Sequence, residues 1–167
     1  VVLAYNVLRF AATDYANFTP ATVAMLLFTG LCIGVAEEVL TRGYVVNMLR
    51  SSGHAELVVA LLSSLLFALS HSVNIFSGQD LLTVGMTVVY TFAFGVAMYC
   101  TLRVTRNLIW PVLLHATTDP SLFLMSGGVD TVTANASANP LATIAGSANL
   151  VVIFFGFLFG FFFLIDK

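Results

Sequence analysis

The sequence predicts an all-α, polytopic transmembrane helical bundle of five full spans and a partial N-terminal span, and three observations predict it. Of 167 residues, 59% are apolar and only 8% charged, a balance that no water-soluble surface of this size could carry. The runs 18–36, 57–79, 81–102, 107–118 and 131–165 contain no Asp, Glu, Lys or Arg, and several are long enough to cross a ~30 Å hydrocarbon core, which takes about 20 helical residues. These runs also lack the ten-residue alternation of barrel strands, which leaves helices as the structure that can satisfy the backbone in lipid.

The elements follow from apolar periodicity and breakers. Residues 1–13 read as a partial span, the tail of a helix cut at its start, because the apolar stretch begins without Met or a signal-peptide pattern. A long helix is expected at about 20–50. Thr19 is its cap and Pro20 its first-turn residue, and Ser51-Ser52-Gly53 is its stop. Helices follow at about 55–75, 81–102, 107–125 and 141–165, with Asn74 to Gln79 separating the third span from the fourth and the stretch from Val129 to Pro140 as the one extended polar linker. The whole chain, 1–167, is expected to form a single transmembrane domain truncated at its N-terminus, with its motif core at 37–119.

Charge and cysteine usage narrow the class. A net charge of −2 without a basic or acidic run gives no reason to expect nucleic acid or a polyanionic partner. Cys32 and Cys100 lie inside apolar runs and are expected to be buried thiols outside any disulfide framework. With alternating spans, Arg50, Arg103, Arg106 and Lys167 fall on one side, cytoplasmic by the positive-inside rule, and Asp14, Asp80 and Asp130 on the other. Arg9 has no place in that scheme beyond the end of the partial span.

The informative residues are the ionisable ones at membrane depth. Glu37, Glu38 and Arg42 interrupt the second span, where each charge costs roughly 2.5 to 3.5 kcal/mol on insertion scales. Glu38 and Arg42 are spaced i,i+4 with the acid first, the favourable order for a pair on one helical face. Glu37 points about 100° away and is free of that pair. His71 closes Phe67-Ala68-Leu69-Ser70-His71 in the third span, and His115 and Asp119 share a face of the fifth. At ~1.5 Å per residue from the basic side, the depths of Glu37, His71 and His115 are roughly 20, 24 and 14 Å, compatible with one site.

Glu37-Glu38-x-x-x-Arg42, Phe67-x-x-x-His71 and His115-x-x-x-Asp119 resemble, in order and approximate separation, the three motifs of the CPBP intramembrane protease family, which contains CAAX proteases and bacteriocin-processing enzymes. The chain is similar in particular to the type II CAAX prenyl endopeptidase branch. Its third motif ends in Asp119 where that branch carries Asn, and the wider family takes either, so the substrate branch stays open.

The resemblance implies an intramembrane endopeptidase. Its substrate would be a membrane-embedded peptide or lipidated protein, or a small leader peptide, and membrane lipid its surroundings. Glu37 would be the general base for a water, His71 would share or orient that water, and His115 and Asp119 would hold the carbonyl oxygen side. Glu38 and Arg42, with Phe67, would support them. Glu37, His71, His115 and Asp119 could equally hold a divalent metal such as zinc, although the zincin spacing is absent; metal-bound and metal-free water stand as alternatives. Two other classes fit the same polar residues: an ion- or proton-coupled transporter using them as a relay, and a catalytically inactive adaptor or immunity protein of the same fold.

Overall fold

The computed structural model describes residues 1–127 and 140–165. Helix α1 is Val2–Ala12, a 3-10 turn follows at Tyr15–Asn17, and α2 is Pro20–Glu38. Without a break, α2 continues through a π-helical segment, Val39–Val45, into α3, Val46–Ser51. Helix α4, Glu56–Ser70, tightens into a 3-10 helix at His71–Ser77; α5 is Leu81–Thr105, α6 Ile109–Ser126, α7 Pro140–Gly146 and α8 Ala148–Ile165.

Each boundary has a local cause. Thr19 caps α2, its hydroxyl accepting from the Thr22 N–H at 3.1 Å, with Pro20 in the first turn, where a missing N–H costs nothing. Ser52 and Gly53, the latter at φ +78°, end α3, since glycine adopts the left-handed region without a Cβ clash. Gly78 (φ +87°) closes the 3-10 helix, and Asp80 then caps α5 by accepting from the Thr83 N–H at 3.0 Å.

Among the described residues, three helices are long and apolar enough to cross a membrane: Pro20–Ser51, Glu56–Ser77 and Leu81–Thr105. The outward surfaces of these helices carry large apolar side chains such as Phe28, Leu66 and Leu82, as lipid-facing positions require. The run expected as one helix over 141–165 is two, because Gly146 is a poor helix former and Ser147 turns the chain, its N–H donating to the Ile144 carbonyl three residues back. Cys32, expected to be buried, is exposed, and Cys100 is half-buried; both are free thiols. In lipid the apolar face of a helix is its outer face, so an apolar run does not mark a buried side chain. The linker expected from Val129 to Pro140, and Asp130 and Lys167 of the charge scheme, lie outside the described residues apart from Pro140, which opens α7.

The chain divides into two compact units: Val1–Ala36 with Val112–Ala148, and Glu37–Pro111 with Asn149–Lys167. In the first, α1 packs against α7. Gly30 and Gly34 of α2 sit against α6: a Cβ on Gly30 would stand 2.4 Å from the Pro120 ring, and one on Gly34 2.7 Å from the Ala116 nitrogen. Small residues four apart let two membrane backbones approach closely. In the second unit α4 packs along α5, and Val46, Val59, Ala60 and Tyr99 form a buried apolar cluster flanked by Leu49 and Leu102. Gly85, by contrast, has nothing within contact distance of a Cβ.

Candidate active site

In the second unit, the polar centre is built on the π-helical segment. Val46 donates its N–H to the Thr41 carbonyl five residues back, the wide turn that recurs at functional sites. Glu38 is fully buried and Arg42 is 2% exposed; the expected i,i+4 pair is formed, with Arg42 Nη1 3.3 Å from Glu38 Oε1. The same Nη1 donates to the Thr41 hydroxyl at 2.6 Å, and that hydroxyl donates to the Glu37 carbonyl at 2.5 Å. Nη2 donates to the Gly95 carbonyl of α5 at 2.9 Å. Two ions in a site this dry are tolerable only when both are paired and hydrogen-bonded.

Gly95 is a requirement of this arrangement. A Cβ there would lie 2.9 Å from Arg42 Nη2 and 3.2 Å from the Ser64 Cα, so the guanidinium and helix α4 reach the α5 backbone only across a bare Cα.

Phe67 connects the ion pair to His71. The Arg42 guanidinium lies 4.6 Å from the centre of the Phe67 ring, a cation over the negative face of a π system. The His71 ring meets the same phenyl edge-on with centroids 5.0 Å apart. His71 Nδ1 is 3.0 Å from the Phe67 carbonyl. A carbonyl can only accept, so this contact puts a proton on Nδ1, the tautomer in which a neutral imidazole has its lone pair on Nε2. His71 is half-buried and stands where the α-helix gives way to 3-10 turns. Glu37, next in sequence to Glu38, is also half-buried.

The first unit carries the third motif. His115 is buried and Asp119 half-buried on α6, with Nε2 and Oδ2 3.8 Å apart, close enough for charge attraction and too long for a hydrogen bond. Pro120 follows inside the helix and, lacking an N–H, cannot bond back to the Ala116 carbonyl; Gly30 packs at that carbonyl, where a Cβ would be 2.9 Å away.

Helix α1 adds two buried polar residues to this unit. Asn6 Nδ2 lies 2.9 Å from the Thr118 hydroxyl, 3.0 Å from that of Thr117 and 3.3 Å from the Leu114 carbonyl. Arg9, one turn on, is 2% exposed. Arg9 is therefore an interior residue. Asn6 escaped the sequence reading; the available signal was its i,i+3 spacing from Arg9 in an otherwise apolar helix.

Among the described residues, no three His, Cys, Asp or Glu side chains are grouped to hold a metal ion within either unit.

The family described as type II CAAX prenyl endopeptidase Rce1-like matches residues 19–120. The chain belongs to the Rce1-like family. No curated protein and no solved structure matches it. The Rce1-like segment opens at the Thr19 cap and runs to Pro120, so it takes in Glu37, Glu38, Arg42, Phe67, His71, His115 and Asp119 and leaves out α1 with Asn6 and Arg9. Membership makes this a CAAX-type intramembrane protease family member and an integral membrane protein, in keeping with the three membrane-length helices among the described residues.

Proposed function

We propose that this chain is an intramembrane endopeptidase that hydrolyses a peptide bond of a membrane-associated or lipidated protein or of a leader peptide, with Glu37, His71, His115 and Asp119 as its working groups. In this reading Glu37 takes a proton from water as the water oxygen attacks the scissile carbonyl carbon. His71 accepts the water's other hydrogen at Nε2 and so aims its lone pair. His115, beside Asp119, donates to the oxygen that becomes negative. The C–N bond then breaks as Glu37 returns its proton to the leaving amine, which balances the hydrolysis. The observation that carries the reading is the fixed His71 imidazole, held by the Phe67 carbonyl and ring with Nε2 left as an acceptor, in a chain whose family match spans all three motifs.

Glu38 and Arg42 are positioning residues in this scheme: Glu38 pairs with Arg42, and the Arg42 guanidinium lies against the Phe67 ring that also meets His71. The same reading counts α6 and α8 as further spans, five in all with α1 as a partial one, and puts Arg50, Arg103 and Arg106 on the cytoplasmic side.

The test is cleavage of a prenylated or membrane-tethered peptide by the purified protein in proteoliposomes, with Glu37→Gln beside it. General-base loss should lower turnover by about 10² to 10⁴ fold while the protein stays folded. Cleavage by the variant at the rate of the parent would end the assignment of Glu37. A second arm asks how the water is activated: turnover that survives dialysis against a chelator supports glutamate alone, and turnover lost to the chelator and restored by zinc transfers the role to a metal-bound water.

A further inference from the structure

Three guanidinium groups outside the catalytic motifs converge at one end of the helices of the second unit. A cavity of about 440 Å³ is lined by Arg50, Glu56, Leu102, Arg103 and Arg106. Half of the chain's six basic residues thus face one space together with a single carboxylate. That carboxylate is already engaged: Arg50 holds both Glu56 oxygens, at 2.8 and 2.9 Å, and the Tyr99 hydroxyl bonds to it as well. Three cations against one anion leave a net charge of +2 on the lining, a concentration of like charge that draws an anion into the concavity. The C-terminal dipole of α5 opposes an anion here, and Arg103 in its last turn with Arg106 as its cap overrides that half-charge with two full ones.

The place of the cavity in the fold says what the anion is attached to. The membrane-length helices Pro20–Ser51 and Leu81–Thr105 end here, and Glu56–Ser77 begins here, so the cavity lies at the level where hydrocarbon gives way to water. Arg106 adopts a left-handed backbone, φ +53°, at the α5 cap, a rare conformation for a residue with a side chain. Around this level the surface is apolar and aromatic: Leu57, Val104, Ile109 and Trp110 are all exposed, and an exposed Trp close beyond a span end is the mark of the membrane interface. Guanidinium pairs bind phosphate oxygens in bidentate fashion, and 440 Å³ falls within the range of small-ligand sites.

We propose that this cavity binds the phosphate diester of an anionic phospholipid, with Arg103 and Arg106 as the principal ligands and the acyl chains lying along the exposed apolar residues outside it. A choline headgroup would bring a cation into a positive site, so the cavity selects against phosphatidylcholine.

The experiment is native mass spectrometry of the full chain from detergent, titrated with phosphatidylglycerol or phosphatidylcholine. Retention of phosphatidylglycerol over phosphatidylcholine is expected, falling about fivefold for each arginine removed in Arg103→Gln and Arg106→Gln, with circular dichroism unchanged. Arg103→Lys with Arg106→Lys keeps the charge but loses the bidentate fork, so its preference should fall between that of the parent and that of the glutamine variants. Equal retention of the two lipids by the parent chain, or a preference untouched by the glutamine variants, overturns the proposal. So does competition by glycerophosphoglycerol, the same headgroup without chains, at the concentration of the intact lipid, since that result assigns the cavity to a soluble phosphate ester.

Discussion

Arg42→Ala tests the most heavily engaged side chain of the second unit. The substitution removes the cation 3.3 Å from Glu38, the bonds to Thr41 and to the Gly95 carbonyl, and the charge over the Phe67 ring, while Glu38 stays at 0% exposure. Taking one partner from a buried ion pair typically costs about 3–5 kcal/mol, and the cation–π contact, about 2 kcal/mol when desolvated, falls inside that range. For a chain of this size each kcal/mol moves the melting point by about 2–4 °C, so a fall of roughly 6–20 °C is expected. Thermal unfolding in detergent, followed by the fluorescence of Trp110, the chain's one tryptophan, measures it. The double variant Glu38→Gln with Arg42→Met removes both charges and should melt well above Arg42→Ala, because an apolar replacement of a buried pair is often nearly neutral. A fall of less than about 2 °C for Arg42→Ala, on the same scale, or a double variant as unstable as the sum of its parts, refutes the account of the pair.

Gly95→Ala should destabilise by about 1–3 kcal/mol, since its Cβ would stand 2.9 Å from Arg42 Nη2 and 3.1 Å from the Ser64 Cβ; a neutral effect in the same melting assay would mean that α4 and α5 part more easily than their packing implies. Asn6→Leu should cost about 0.5–1.5 kcal/mol through the lost bond to Thr118 and should lower turnover in the proteoliposome assay, because Asn6 holds the turn of α6 that carries His115; unchanged stability and turnover would deny it that role. Asp80 at the α5 cap has its carboxyl held below the ordinary carboxylate range, first by the Thr83 hydroxyl and then by the Thr83 N–H. A depressed folded-state value stabilises above the unfolded value and is lost as pH falls through the folded one, so the melting-point difference between the parent and Asp80→Ala should shrink on acidification, and a difference that grows in acid contradicts the cap.

Much of this was legible in the sequence because the responsible forces are local. Thr19-Pro20, Ser52-Gly53 and Asp80 mark helix ends through groups within a few residues of one another, and the Glu38–Arg42 pair follows from spacing alone. The π-helical turn at Val39–Val45 was not legible, because the interaction that accompanies it, Arg42 reaching the Gly95 carbonyl, joins residues 53 apart in sequence. The 3-10 helix after Ser70 and the outward placement of Cys32 escaped for a related reason: apolar residues serve the core and the lipid face alike, so composition does not assign the side. Asn6 and Arg9 were visible as polar residues in an apolar helix, but only tertiary contacts reveal that they point inward.

The wide turn in the acidic span bears on how that stretch can change over generations. A π turn holds one residue more than its α counterpart, so losing a single residue from 39–45 would let the helix revert to ordinary winding with no gap in its ladder of backbone bonds. Because the wide turn absorbs that residue, the helix on either side would keep nearly its present rotation, and the change would fall on Glu38 and Arg42, whose spacing drops to three if the residue is lost between them. Loss of one residue within the wide turn is therefore a local change that the flanking helix can absorb, whereas a residue added or removed in the α-helical stretches on either side would swing all that follows by ~100°.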